Sequence, residues 1–180
     1  MPDSFRNLKQ LRRILLWKSE LDGRAIEILG TLPNLMLLNL RSESYVGNEL
    51  AFKKHEFPNL KELRISMLSE LRGIRFEKDA LPHMERMEIE ICELRSGIVG
   101  IKHLQKIKEI SLGERCKVAG LDLLEDEVKA HPNKPALQLH EDRSKINLGS
   151  PVVLTEDQGS SDEGKAKESV HDDAGESSGK

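Results

Sequence analysis

The residues of this chain that could bind a metal or attack a substrate are two cysteines and six histidines. Cys92 and Cys116 lack the Cys-x-x-Cys spacing of zinc sites, and no two histidines stand four positions apart. The chain also has no phosphate-binding loop, no glycine-rich dinucleotide motif and no Gly-x-Ser-x-Gly elbow. The sequence therefore predicts no metal, no cofactor and no enzymatic activity.

Charge and hydropathy exclude two further classes of partner. Residues 151–180 hold eight acidic residues and three lysines, so the first 150 residues carry 25 basic and 23 acidic groups. Nucleic-acid binding needs a basic field, and this balance predicts none. No run of 18 apolar residues exists, and the first residues contain no apolar signal core. We expect no nucleic-acid partner, no membrane span and a cytoplasmic location.

An apolar pattern recurs along the chain and predicts its architecture. The pattern is apolar-x-x-apolar-x-x-apolar-x-apolar, and it begins at Leu8, Leu32, Phe57, Leu81 and Leu104. Periods of 23 to 25 residues with this core are typical of leucine-rich repeats. The predicted fold is an α/β solenoid with a curved parallel sheet. Each repeat gives one short strand, and loops or short helices return over the convex side.

The chain divides into three parts. We expect a solenoid of about five repeats over residues 1–120, a C-terminal cap over 121–140 and a disordered acidic tail over 141–180. The cap should contain a helix at 121–131, with Asp122 and Glu125 as its capping pair, and a last strand at Leu137 and Leu139.

The opposite end of the solenoid has no recognisable cap before its first repeat. An uncapped first repeat would expose apolar side chains to water. This favours a fragment of a longer protein, or a truncated product, over a complete stand-alone chain.

The side chains that alternate with the inward leucines define the predicted concave face. This face should bind protein, and its residues are Arg13, Leu15, Trp17, Leu37, Asn39, Arg41, Glu62, Arg64, Ser66, Arg86, Glu88, Glu90, Glu109 and Ser111, with Gly113 at the end of the fifth strand.

Two features of this face allow alternative interpretations. Leu15, Trp17 and Leu37 should form an exposed apolar cluster, which is either an interface or a surface covered by other parts of a larger protein. Opposite charges should face each other between strands, at Glu62 with Arg86, Arg86 with Glu109 and Arg64 with Glu88. These charges are either a self-neutralising ladder or a patterned docking surface.

The cysteines are expected to be reduced structural thiols. Cys92 takes the position where such repeats place Asn or Cys, so its thiol should be buried near turn backbone. Adjacent repeats are close enough for a bridge to Cys116, but no secretory signal supports one.

Several segments resemble the C-terminal repeats of plant nucleotide-binding disease-resistance proteins. They are Leu-Pro-Asn-Leu at 32–35, Phe-Pro-Asn-Leu-Lys-Glu-Leu-Arg-Ile at 57–65 and Leu-Pro-His-Met-Glu-Arg-Met-Glu-Ile at 81–89. The closing stretch 127–139 is similar to the ending of many coiled-coil-type members. The resemblance covers roughly residues 1–140.

The resemblance implies part of a cytoplasmic immune receptor. Its repeats would sense pathogen effectors and hold a nucleotide-binding switch inactive. The partner would be an effector, a guarded host protein or the switch domain itself. Nucleotide binding does not carry over, because the chain has no phosphate loop. The alternatives are a scaffold or adaptor, of ubiquitin-ligase or signalling type, and a truncated receptor product without independent activity.

Overall fold

The last two apolar residues of each repeated pattern stand two positions apart, which predicts one short strand there. The computed structural model of the protein describes residues 8–140. Six parallel strands form its main sheet, in the order β1-β2-β4-β6-β9-β11. They are β1 (Arg13–Trp17), β2 (Leu37–Arg41), β4 (Glu62–Ser66), β6 (Arg86–Glu90), β9 (Glu109–Leu112) and β11 (Ala136–Leu139).

The strands pair in the register that the apolar pattern predicts. Ile14, Leu38, Leu63, Met87 and Ile110 face one another as successive partners across the sheet. Each of them is 7% exposed or less. Burial of such a continuous aliphatic row is the main source of stability in a solenoid. The repeat prediction is confirmed.

The return segments differ in part from the prediction of loops or short helices. The first repeat returns through α1 (Gly23–Gly30), whose N-cap Asp22 accepts a 2.8 Å hydrogen bond from the Ala25 N–H. The next three repeats instead form a second parallel sheet. Its strands are β3 (Glu49–Phe52), β5 (Gly73–Phe76) and β8 (Gly97–Val99). Two shorter strands, β7 (Glu93–Leu94) and β10 (Lys117–Val118), pair with each other in a separate sheet, and a 3₁₀ turn spans Ile101–His103.

Aromatic side chains pack between the first two of these return strands. The Phe52 and Phe76 rings stack with centroids 5.4 Å apart, and Phe57 meets Phe52 edge-on at 5.6 Å. All three are fully or almost fully buried. Phe52 and Phe76 are register partners on β3 and β5, so the pairing of these strands places their rings side by side.

The predicted helix near the C-terminal end is present as α2 (Leu121–Ala130), with Leu124 and Val128 buried. Its predicted capping pair is wrong. The N-cap is Gly120, at φ 66°, so no side chain caps the first turn. Because the helix begins at Leu121, Asp122 is its second residue and its carboxylate lies in the first turn. Glu125 instead accepts from the Lys129 Nζ at 3.2 Å.

A sixth repeat follows α2 and ends the main sheet. Strand β11 pairs with β9, so the predicted last strand is confirmed. His131 stands five residues before β11, as Leu104 stands five before β9, and it is only 3% exposed. Its Nδ1 accepts from the Asn133 N–H at 3.1 Å. A histidine thus replaces the first leucine of the repeat.

Asparagine side chains join successive repeats. The Asn34 Nδ2 donates to the Lys9 carbonyl and the Asn59 Nδ2 to the Pro33 carbonyl, each at 2.7 Å. Asn133 donates in the same way to the carbonyl of Gln105. All three asparagines stand three residues before a strand of the main sheet. Each link satisfies a carbonyl of the preceding repeat and fixes the spacing between repeats.

Candidate protein-interaction surface

One side of the main sheet carries the first, third and fifth residues of its strands, and we call this side the open face. The inward residues of β2, β4, β6 and β9 are buried, and the open face holds the side chains that alternate with them. Of the predicted site residues, Arg13, Leu15, Trp17, Arg41, Arg64 and Arg86 are exposed; Glu62, Glu88, Glu90, Glu109 and Ser111 are half-buried; Leu37, Asn39 and Ser66 are buried.

The exposed apolar cluster is smaller than the sequence predicts. Leu15 and Trp17 are 70% and 65% exposed, but Leu37 is only 8% exposed. Leu37 is the Cα partner of Arg13 on one side and of Glu62 on the other. Long side chains on both flanking strands cover it, as their aliphatic stems commonly do. The cluster therefore consists of Leu15 and Trp17, and including Leu37 was wrong.

The predicted charge pairs are only partly formed. The Arg64 Nε lies 3.4 Å from the Glu88 Oε2, which confirms that pair. Glu62 and Glu109 flank Arg86 in the strand register, as predicted. Within residues 8–140, however, no carboxylate comes within 4.0 Å of Arg86. Glu62 instead binds Arg64 on its own strand, at 2.5 Å, so it is not available to Arg86.

Two basic residues at the ends of β1, Arg12 and Lys18, were not identified from the sequence. The Lys18 Nζ lies 4.8 Å from the Trp17 ring centroid, a cation–π contact. Arg12 and Arg13 border a depression of about 400 Å³ at the start of the strands. Met36 and Leu37 form its apolar floor. Arg12 and Lys18 flank β1, and strand alternation alone assigns neither to a face.

A small polar notch lies near the middle of the open face. It measures about 80 Å³, and Asn39, Ser66 and Arg41 are among its lining residues. The Asn39 Oδ1 and the Ser66 Oγ are buried and have no hydrogen-bond partner among residues 8–140. Buried polar atoms generally need a partner. The notch can accept a hydrogen-bonding group of a bound molecule or of solvent.

The cysteines and histidines of residues 8–140 do not assemble into a metal site. The Cys92 thiol is buried, as its repeat position predicts, and burial raises its pKa. Burial raises the pKa of the Cys116 thiol to about 12, and both cysteines are free. Residues 8–140 contain no group of three His, Cys, Asp or Glu side chains arranged to hold a metal. None of the helices in that range is long and apolar enough to cross a membrane.

Known proteins match this chain over most of its length. Disease resistance protein Pik-1 of Oryza sativa subsp. japonica is 28% identical over 172 residues, which cover 89% of this chain. Disease resistance RPP8-like protein 3 of Arabidopsis thaliana is 26% identical over 113 residues, covering 62% of this chain. Disease susceptibility protein LOV1, also of Arabidopsis thaliana, is 27% identical over 111 residues. The chain spans only 14% of the rice protein and 12% of the other two.

These matches confirm the resemblance to plant disease-resistance proteins. The family described as leucine-rich repeat region matches residues 1–137. That range contains five of the six strands of the main sheet and half of the sixth. The structure has one in-register parallel strand per repeat, which agrees with the family match. The chain belongs to the leucine-rich repeat family.

Proposed function

We propose that this chain is the protein-recognition module of a plant intracellular immune receptor, acting in the cytoplasm. It would contribute to sensing of pathogen effectors and to autoinhibition of the receptor. One observation carries this proposal. Leu15 and Trp17 stand 70% and 65% exposed on the open face of a repeat region whose relatives are named disease-resistance proteins. Large apolar side chains on an ordered sheet often mark interfaces, and tryptophan is enriched among the residues that dominate binding.

The open face suits binding better than chemistry. Its exposed residues stand on strands rather than loops, so a partner would meet a preformed surface at little cost in conformational entropy. Its charged side chains would set the rate and specificity of encounter, while the apolar cluster would supply affinity. The partner is an effector, a guarded host protein or the nucleotide-binding switch of the receptor.

Autoinhibition can be tested in leaf tissue. A coiled-coil-type receptor of the same plant is expressed without its repeats, so that it triggers cell death constitutively, and this chain is expressed with it. We expect the chain to suppress cell death. A Trp17→Ala, Arg41→Glu double variant should not suppress it, because both changes lie on the open face. Equal suppression by the two chains, or none by either at matched protein levels, would contradict the proposal.

A further inference from the structure

The open face is divided into two halves of opposite charge. Strands β1, β2 and β4 place three arginines and one glutamate on it, whereas β6 and β9 place one arginine and three glutamates there. The bridge from Arg64 to Glu88, at 3.4 Å, lies between β4 and β6 and marks the boundary. A charged partner protein would therefore bind this face preferentially in one orientation along the sheet.

The apolar cluster lies entirely in the basic half. Leu15 and Trp17 are two residues apart on β1, so their side chains lie on the same side of the sheet. Trp17 has Arg41 as its partner on β2. The Lys18 ammonium rests over the indole ring. Any segment that covers the indole must also approach these cations.

The cations around the cluster are available to a partner. Within residues 8–140, no carboxylate comes within 4.0 Å of Arg12, Arg13 or Arg41. Arg64, in contrast, is already engaged by Glu62 and Glu88. The depression beside Arg12 and Arg13 has an apolar floor and room for about 400 Å³, and its lining continues to Lys61, Glu62, Glu85 and Arg86 on the side away from β1. It could hold one large aliphatic or aromatic side chain.

We infer that β1 and β2 form a docking site for an acidic segment of a partner protein that carries apolar anchors. This inference rests on the proposed function and names the chemistry of its partner. One apolar side chain would pack on Leu15 and Trp17, and a second would enter the depression. Carboxylates between and beside these anchors would meet Arg12, Arg13 and Arg41, whose planar guanidinium groups match carboxylate geometry.

Trp17 is the only tryptophan of the chain, so its fluorescence reports on this site directly. The full 180-residue chain is titrated with three synthetic 12-residue peptides without tryptophan. The first combines four Leu or Phe with six Asp or Glu. The second replaces the acids by lysine, and the third replaces the apolar residues by serine. We expect only the first peptide to shift the emission to shorter wavelength with saturation.

Charge variants test whether the arginines are responsible. Arg13→Glu and Arg41→Glu should each weaken binding of the acidic apolar peptide at least tenfold, and raising NaCl from about 50 to 500 mM should weaken it similarly. Arg24→Glu is the matched control, because Arg24 is exposed on α1 and lies away from the open face. Equal loss in the control would overturn the inference. So would equal binding of the lysine peptide, or no response to any peptide.

Failure here and failure of the proposed function give different results. If the peptide does not bind but the chain still suppresses cell death through the open face, only the acidic partner chemistry is wrong. If the peptide binds as described but the chain does not suppress cell death, the docking site is supported and the proposed autoinhibitory role is wrong.

Discussion

Trp17 on β1 and Arg41 on β2 are register partners, and both side chains point away from the core of the repeats. An exposed aromatic beside an arginine without a carboxylate partner contributes little to folding. The first prediction follows from this. Trp17→Ala should change the free energy of unfolding by no more than about 0.5 kcal/mol, as surface changes generally do. Urea unfolding followed by circular dichroism checks this, and a loss above about 2 kcal/mol would mean that Trp17 is packed.

A second prediction compares two leucines on opposite sides of the sheet. Leu63 is fully buried and Leu15 is 70% exposed. Leu63→Ala should lower the free energy of unfolding by about 2–5 kcal/mol, because it leaves a cavity in the aliphatic row. Leu15→Ala should cost no more than about 0.5 kcal/mol. Similar losses in both variants, measured by urea unfolding, would show that the assigned faces are incorrect.

The third prediction concerns the asparagine links between repeats. Asn59→Ala removes the 2.7 Å hydrogen bond to the Pro33 carbonyl and should cost about 0.5–1.5 kcal/mol. Asn48 is exposed, and within residues 8–140 its side chain makes no hydrogen bond, so Asn48→Ala is the matched control. The difference between the two unfolding midpoints in urea measures the link. A control as destabilised as the test variant would count against it.

Thiol chemistry gives a fourth prediction, on pH dependence. Burial raises the pKa of Cys116 from its ordinary value of 9.0 to about 12. The folded chain thus holds this proton to higher pH than the unfolded chain. Its contribution to stability is complete below about pH 9 and is lost as the pH rises toward 12. Iodoacetamide at pH 8 should therefore alkylate Cys116 much more slowly in the folded chain than in urea.

The contribution of the Cys116 thiol to the pH dependence of stability can be measured by comparing the wild-type chain with a variant that lacks the thiol. The free energy of unfolding of the wild-type chain should fall between pH 8 and pH 10.5 more steeply than that of Cys116→Ala. Other groups titrate in this range in both proteins, so only the difference between their slopes is informative. Identical slopes would mean that the Cys116 thiol titrates alike in the folded and unfolded chains.

A fifth prediction tests the boundary between the charged halves. The side chains of Arg64 and Glu88 are 46% and 40% exposed, so water and salt screen their interaction. A double-mutant cycle with Arg64→Ala and Glu88→Ala should give a coupling energy of about 0–1 kcal/mol, falling further at 0.5 M NaCl. A coupling energy above 2 kcal/mol would show that this bridge holds the fold together.

The main sheet was predictable because its signal is local and repeated. Leu38 and Leu63 occupy equivalent positions of their repeats, and stacking one repeat on the next forces them to face each other. The same logic placed the open-face residues correctly on alternate positions. The expected disorder of residues 141–180 lies outside the described part of the chain, so it stays a prediction.

The second sheet escaped prediction although its residues are also periodic. Leu50, Ile74 and Ile98 recur every 24 residues and face one another across β3, β5 and β8. These strands are short and lie between turns, so periodicity alone does not distinguish them from loops. The stacking of Phe52 on Phe76 is a contact between repeats, and the spacing within one repeat does not show it.

The open face shows a similar limit. Alternation assigned Leu37 to it correctly, but exposure depends on the side chains of both neighbouring strands, which cover this leucine. The ion pair of Glu62 with Arg64, rather than with Arg86, also depends on side-chain conformation. The spacing of residues in the sequence predicts which side chains are neighbours on the sheet. The packing of those side chains decides which are exposed and which form ion pairs.

Fluorine NMR of a chain labelled with 5-fluorotryptophan tests the central claim most directly, because Trp17 gives its only resonance. The labelled chain is titrated with the nucleotide-binding region of a coiled-coil-type receptor from the same plant, alongside Arg24→Glu and Arg41→Glu variants. We predict a saturable shift or broadening in the wild-type and Arg24→Glu chains, with the Arg41→Glu response at least tenfold weaker. A complex that forms while the resonance stays unchanged would place the interface elsewhere and contradict the account.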